Sequence, residues 1–139
     1  MDKVFIDSDI ILDVFSRRKG FYTHSAKLLS IIEKRKVEGY TTPLVFANIY
    51  YILRKLKSKS YALQSLRKLR IIVGVLTLDQ KSIDQALNSE FTDFEDALQY
   101  YSARSSKLDY IITRNKKDYK NSKIMACTPE EYLAMLEFE

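Results

Sequence analysis

The chain has no tryptophan, one histidine and one cysteine in 139 residues. A single cysteine, Cys127, cannot close an intrachain disulfide, which excludes a disulfide-stapled secreted scaffold and fits a reducing, cytoplasmic setting. Neither His24 nor Cys127 has companions at a zinc-ligand spacing, and no Ser–His–Asp or Cys–His set is spelled out. A structural zinc and nucleophilic catalysis are therefore set aside. Only 3 Gly and 2 Pro exclude collagen-like and low-complexity architecture, and no glycine-rich loop is present to cradle a phosphate. No apolar run approaches the roughly 20 residues that a membrane span needs. The opening MDKVFIDSD carries acids too early for a secretory signal.

What is present describes a globular chain. Hydrophobic residues make up 46% and charged residues 29%, enough apolar surface to bury a core over a single domain spanning 1–139. Lys plus Arg is 23 and Asp plus Glu 18, so the net charge is 23 − 18 = +5. That excess permits a polyanionic partner without demanding one.

Apolar periodicity and capping signals divide the chain. Residues 4–6 (VFI) read as a strand buried on both faces, ending at Asp7, and residues 10–15 as a short helix. Thr23 reads as the cap of a helix closed by Gly39. Thr42 followed by Pro43 starts a helix to about Lys57, and Ser60 starts another. Residues 71–78 (IIVGVLTL) are rich in β-branched side chains and read as a second buried strand. Asp79 caps a helix to about Asn88. Thr92 and Glu95 read as a capping box opening the next. Residues 110–113 (YIIT) and 124–127 give a third and a fourth strand, and Thr128, Pro129 and Glu131 start the last helix. Apolar strands separated by helices imply an α/β fold, a three-layer α/β/α sandwich with a mostly parallel central sheet. Ligands in such folds sit beyond the carboxyl ends of the strands.

The residues at those ends are acids. Asp7 ends the first strand, and Asp9 and Asp13 follow it; a helix cap is the competing role for Asp7 and Asp9. Asp93, Glu95 and Asp96 cluster at a helix start, where the helix dipole alone favours acids. Glu95 is assigned to the capping box. Asp96 precedes small and apolar residues, so it lies near the buried side of its helix and needs a partner. Asn115 and Asp118 follow the third strand, whereas Asp109 precedes it and reads as a turn residue at the opposite end. Carboxylates gathered from separate strand and helix ends make a hard-oxygen site suited to Mg²⁺ or Mn²⁺, and phosphodiester hydrolysis is the chemistry that uses one. The competing reading is a set of scattered caps.

Four segments resemble the PIN domain of VapC-like toxin ribonucleases. VFIDSDIILDVF resembles that family's opening strand and first acid, at Asp7. TPLVFANIYYIL resembles its central helix, DFEDALQYYSA the helix bearing its third acid, at Asp96 with Asp93 as companion, and YIITRNKKDY its later strand and turn. The resemblance implies a PIN-like fold over essentially the whole chain and a metal-dependent endoribonuclease, the toxin of a toxin–antitoxin pair. It implies Asp7, Asp96 and Asp93 as metal ligands, and Asn48 and Asn115 at two positions where the family carries acids. An amide ligates through its carbonyl oxygen but brings no negative charge and is a poor base. The double replacement motivates an alternative: a weakened or inactive PIN-fold module that binds RNA or a partner protein.

Arg17, Arg18, Arg114 and Lys116 follow strands that feed the expected cleft and are candidates for sequence-blind phosphate contacts, against the usual fate of such residues as a solvated surface. The adjacent pairs Tyr50–Tyr51 and Tyr100–Tyr101 place one ring inward and one partly outward, for core or subunit packing rather than base stacking. The expected partners are RNA, an antitoxin protein and a second copy of the chain in a homodimer.

Overall fold

The computed structural model describes residues 1–137. Strand β1 (Lys3–Ile6) lies at the centre of a five-stranded sheet. On one side it pairs with β2 (Glu38–Thr41), which pairs with β3 (Gly74–Val75). On the other it pairs with β4 (Tyr110–Ile112), which pairs with β5 (Met125–Cys127). Every pairing is parallel, in the order β3-β2-β1-β4-β5. Val4, Phe5 and Ile6 of β1 are fully buried, as a strand with both faces covered by helices must be.

The covering helices are α1 (Ser8–Phe15), α2 (Tyr22–Glu33), α3 (Pro43–Leu56), α4 (Lys59–Ile72), α5 (Gln80–Leu87), α6 (Phe94–Ser105) and α7 (Pro129–Leu136), with a 3-10 turn at Lys116–Tyr119. Helix α1 packs on α2 and α3, α3 on α4, α2 on α7, and α5 on α6. This is the three-layer α/β/α sandwich, with a sheet that is wholly rather than mostly parallel. Among the described residues, no helix is long and apolar enough to cross a membrane.

Capping chemistry set several boundaries as expected. Thr42 accepts from Val45 N at 3.3 Å with Pro43 in the first turn. Asp79 accepts from Ser82 N at 3.0 Å, and Thr128 and Glu131 form a reciprocal box at 3.2 and 2.9 Å. Cys127 is buried in β5, and of the tyrosine pairs Tyr100 is buried while Tyr51 is exposed.

Other boundaries differ. Thr23 caps nothing: α2 begins at Tyr22 after Phe21, which makes no side-chain cap. Gly39 does not close α2, which ends at Glu33 before a reversal with Arg35 at φ 61°. Gly39 instead lies within β2, a strand absent from the pattern reading. A Cβ there would come 2.8 Å from Ile32 Cδ1, so the bare backbone lets β2 lie close against α2. Ser58, not Ser60, caps α4. The IIVGVLTL run does not make a long strand. Helix α4 continues to Ile72, Ile71 is 83% exposed, and only Gly74 and Val75 pair with β2. At Gly74 a Cβ would meet the Tyr40 ring at 2.7 Å. Thr92 does not cap α6; Asp93 does, one residue later, and this shift re-aims Glu95.

Candidate active site

Because β2 and β4 lie on opposite sides of β1, the chain leaves β1 in one direction and returns on the other. A crevice opens at such a switch point, beyond the carboxyl end of the central strand. Asp7 is the residue placed there. Its backbone N–H bonds to Ile112 O of β4 at 3.1 Å. Its carboxylate is held at both oxygens: Oδ1 accepts from Ser8 N at 2.8 Å, capping α1, and Oδ2 accepts from Thr113 Oγ1 at 2.9 Å. One side chain thus caps α1 and lines the crevice. Thr113 is fully buried, and its hydroxyl oxygen also accepts from Asn115 N at 3.1 Å, fixing the turn after β4.

Helix α6 brings the second acid. Asp93 at its N-terminus accepts from Asp96 N at 2.9 Å, so part of the Asp93 carboxylate is spent on the cap. Asp96 is half-buried, one turn in, and faces the hydroxyl of buried Tyr119 at 3.5 Å. Asp7 and Asp96 line one cleft of about 410 Å³ together with Asn48, Asp93 and Asn115, all five residues singled out from the sequence. Among the described residues, Asp9, Glu95 and Asp118 complete its acids, making six carboxylates and no Lys, Arg or His in its lining.

This crowding perturbs the two central acids. Burial pushes the Asp7 carboxyl up to about 6, against the Thr113 and Ser8 hydrogen bonds that hold it down, with repulsion from Asp9 and Glu95 adding to the rise. Burial, and then repulsion from Asp7, Asp93, Asp118 and Glu95, push Asp96 up to about 7. Burial, and then Asp7, Asp96 and Asp118, raise the Tyr119 phenol, which keeps its proton and donates.

Among the described residues, no three His, Cys, Asp or Glu side chains converge into a ready-made metal centre. The donor set nevertheless suits one class of ion. It is all oxygen, it is anionic beyond what its protein partners balance, and the cleft has room for water. Mg²⁺ and Mn²⁺ are held in this way, by one or two carboxylates with the remaining positions left to water and phosphate.

Glu95 is the residue that sequence reasoning placed wrongly. It does not return to cap its helix; its Oε1 accepts from Asn48 Nδ2 of α3 at 2.5 Å. The signal was the D-F-E-D spacing itself. With Asp93 rather than Thr92 as the cap, Glu95 precedes Asp96 within the first turn and both reach the cleft.

The cations lie differently from the expectation of a free basic rim. Arg114 Nη2 is 3.4 Å from Asp13 Oδ1, and Arg18 Nη1 is 3.9 Å from the same oxygen. Both arginines also approach Asp9 Oδ1 at 4.0 Å, and Asn115 Nδ2 donates to Asp9 Oδ2 at 3.2 Å. Asp13 is fully buried and takes a hydrogen bond from Ser25 at 3.2 Å; burial still raises its carboxyl against the two guanidinium groups. Arg114 also lies over the Phe21 ring, 4.0 Å from its centroid. Lys116 pairs with Glu131 at 2.8 Å on the surface. Arg17, at φ 51°, stands 5.9 Å from the Tyr22 ring centroid. Arg114 therefore has a structural duty. Arg114→Ala is expected to cost about 2–3 kcal/mol in urea unfolding, because it takes from buried Asp13 the nearer of its two guanidinium partners. A residue reserved for nucleic acid would leave the urea midpoint where it was.

Comparison with known proteins places this architecture. A family model described as PIN domain matches residues 3–117. Ribonuclease VapC1 of Aquifex aeolicus is 26% identical over 136 residues, covering 94% of this chain and 93% of that protein. VapBC2 from Rickettsia felis, solved bound to a DNA fragment from its promoter, superposes with a TM-score of 0.69 at 14% identity, over 91% of this chain and 98% of that one. A toxin–antitoxin complex from Klebsiella pneumoniae gives 0.68 at 19%, over 91% and 97%. PAE2754 from Pyrobaculum aerophilum gives 0.65 at 19%, over 99% and 98%. At these identities the solved structures speak for the fold.

Proposed function

The chain belongs to the PIN-domain family, and on that premise we propose that it is a divalent-metal-dependent endoribonuclease acting as the toxin of a toxin–antitoxin pair. One observation carries the reading: Asp7 and Asp96, 89 positions apart in sequence, line the same acid-rich cleft at the switch point of the sheet. The ribonuclease name of the Aquifex relative supports the reaction. The toxin–antitoxin origin of two structural neighbours supports an antitoxin partner.

Asp7 and Asp96 would hold Mg²⁺ or Mn²⁺, with Asp93 as a third contributor. The ion, when bound, would polarise the scissile phosphoryl group and lower the pKa of water. The chain's own work is positional. Ser8 and Thr113 fix the Asp7 carboxylate from both sides, so it does not need reorganising when substrate arrives. Asn48 and Asn115 are placed to orient neighbouring carboxylates and water through their amides. Arg17 and Lys116, with the outer faces of Arg18 and Arg114, would meet RNA phosphates outside the acidic pocket, giving salt-sensitive and sequence-blind affinity.

The test is incubation of the purified chain with a generic single-stranded RNA and Mn²⁺. Endonucleolytic cuts that stop on chelation are expected. RNA left intact under saturating Mn²⁺ would count for the second reading, a PIN-fold binding module without turnover. The presence of Asn48 and Asn115 in the cleft favours that second reading.

A further inference from the structure

Position 48 faces the cleft from α3 and carries an amide, yet a carboxylate stands beside it. Glu95 reaches across from α6, and its Oε1 takes the Asn48 Nδ2 hydrogen at 2.5 Å. Both side chains are half-buried, and both line the cleft that holds Asp7 and Asp96. Among the described residues, no other hydrogen bond and no ion pair engages Glu95. The pairing is also chemically selective. A carboxylate at position 48 would set two acids at hydrogen-bond distance, whereas the amide supplies a donor.

We propose that Glu95 is a metal-facing carboxylate of this site, supplying from α6 the negative charge that α3 lacks, and that Asn48 is its positioning residue. This rests on the metal-dependent reading above. The amide fixes one carboxylate oxygen and leaves the other for the cation or its water. The charge facing the cleft then comes from α6, opposite an α3 that carries no acid.

Mn²⁺ titration by calorimetry on the full chain tests this without reference to activity. Glu95→Gln is expected to weaken Mn²⁺ binding about tenfold or more, and Asn48→Ala about tenfold through loss of orientation. The double variant Asn48→Glu with Glu95→Gln, which places the acid on α3 instead of α6, is expected to recover most of the affinity. A purely structural Glu95 would not be rescued in that way. Glu95→Gln removes a like charge beside Asp96 and should melt no lower than the native chain, so a fall in affinity cannot be laid to unfolding. Native affinity in Glu95→Gln, with binding lost in Asp96→Asn, would overturn the role of Glu95 and leave the metal site standing. Failure of the double variant to recover affinity would overturn the claim that positions 48 and 95 face one cation. Absence of Mn²⁺ binding to the native chain would overturn the metal-dependent reading, and this inference with it.

Discussion

Asp96→Asn is expected to lower RNA cleavage by more than about a hundredfold while raising the melting temperature of the metal-free chain. The two effects have one cause. Asp96 is pushed up to about 7 by burial and by repulsion from Asp7, Asp93, Asp118 and Glu95. At neutral pH its charge is partly forced on it. Asparagine has nearly the same shape and removes that charge. Water reaches this half-exposed group and screens part of the repulsion, so the gain is about 1–2 kcal/mol, or about 3–6 °C. On the proposed function, the same substitution removes a principal metal ligand. Losing one supporting group around a metal costs about 10–100-fold, and losing a ligand costs more. A residue that matters for packing would lose activity and stability together. Asp7→Asn should lose activity in the same way, with a different balance in stability. Its carboxylate accepts two hydrogen bonds, from Ser8 N and Thr113 Oγ1, and an amide retains only one acceptor oxygen. The measurements are initial cleavage rates and thermal melts on the same preparations. Unchanged cleavage in Asp96→Asn would end the mechanism.

Much of this architecture was legible in the sequence, because local chemistry decides it. Apolar runs ending in polar residues marked β1, β4 and β5, and Thr42–Pro43, Asp79 and Thr128–Pro129–Glu131 marked helix starts by satisfying backbone donors with their own side chains. The failures lie where a contact distant in sequence settles the structure. EGYT makes β2 only because Gly39 can lie under Ile32 and because β1 offers a parallel partner. IIVGVLTL has the composition of a buried strand, but its first two residues finish α4 and its pairing is limited to two residues against β2. Asp7 and Asp96 were legible as site candidates because a strand end and a helix start each announce themselves. The contact between Asn48 and Glu95 spans 47 positions. The pairing of Arg114 with Asp13 spans 101, and no local signal announces it. The basic groups that appeared free for phosphate are for that reason partly committed to the fold.

The charge state of the cleft sets a pH dependence whose sign metal should alter. Asp7 at about 6 and Asp96 at about 7 both lie above the ordinary carboxylate value of 3.8. The folded chain therefore holds more protons than the unfolded chain between about pH 4 and pH 7, and unfolding free energy falls as pH rises through that window. Asp13, also raised, contributes in the same direction. The metal-free chain should melt several degrees higher near pH 5 than near pH 8. On the proposed function, saturating Mn²⁺ should act in the opposite sense, because it would bind the ionised carboxylates of the folded state. At a hundred times its dissociation constant it adds about 2.7 kcal/mol, and little of this is available at pH 5, where both acids are protonated in the fold. Melting curves at pH 5, 6.5 and 8, with Mn²⁺ and with chelator, should diverge as pH rises. In Asp96→Asn the chelated and Mn²⁺ curves should run nearly together. A metal shift as large at pH 5 as at pH 8 would mean that the ion binds elsewhere than at Asp7 and Asp96, whose carboxylates gain their charge across that range.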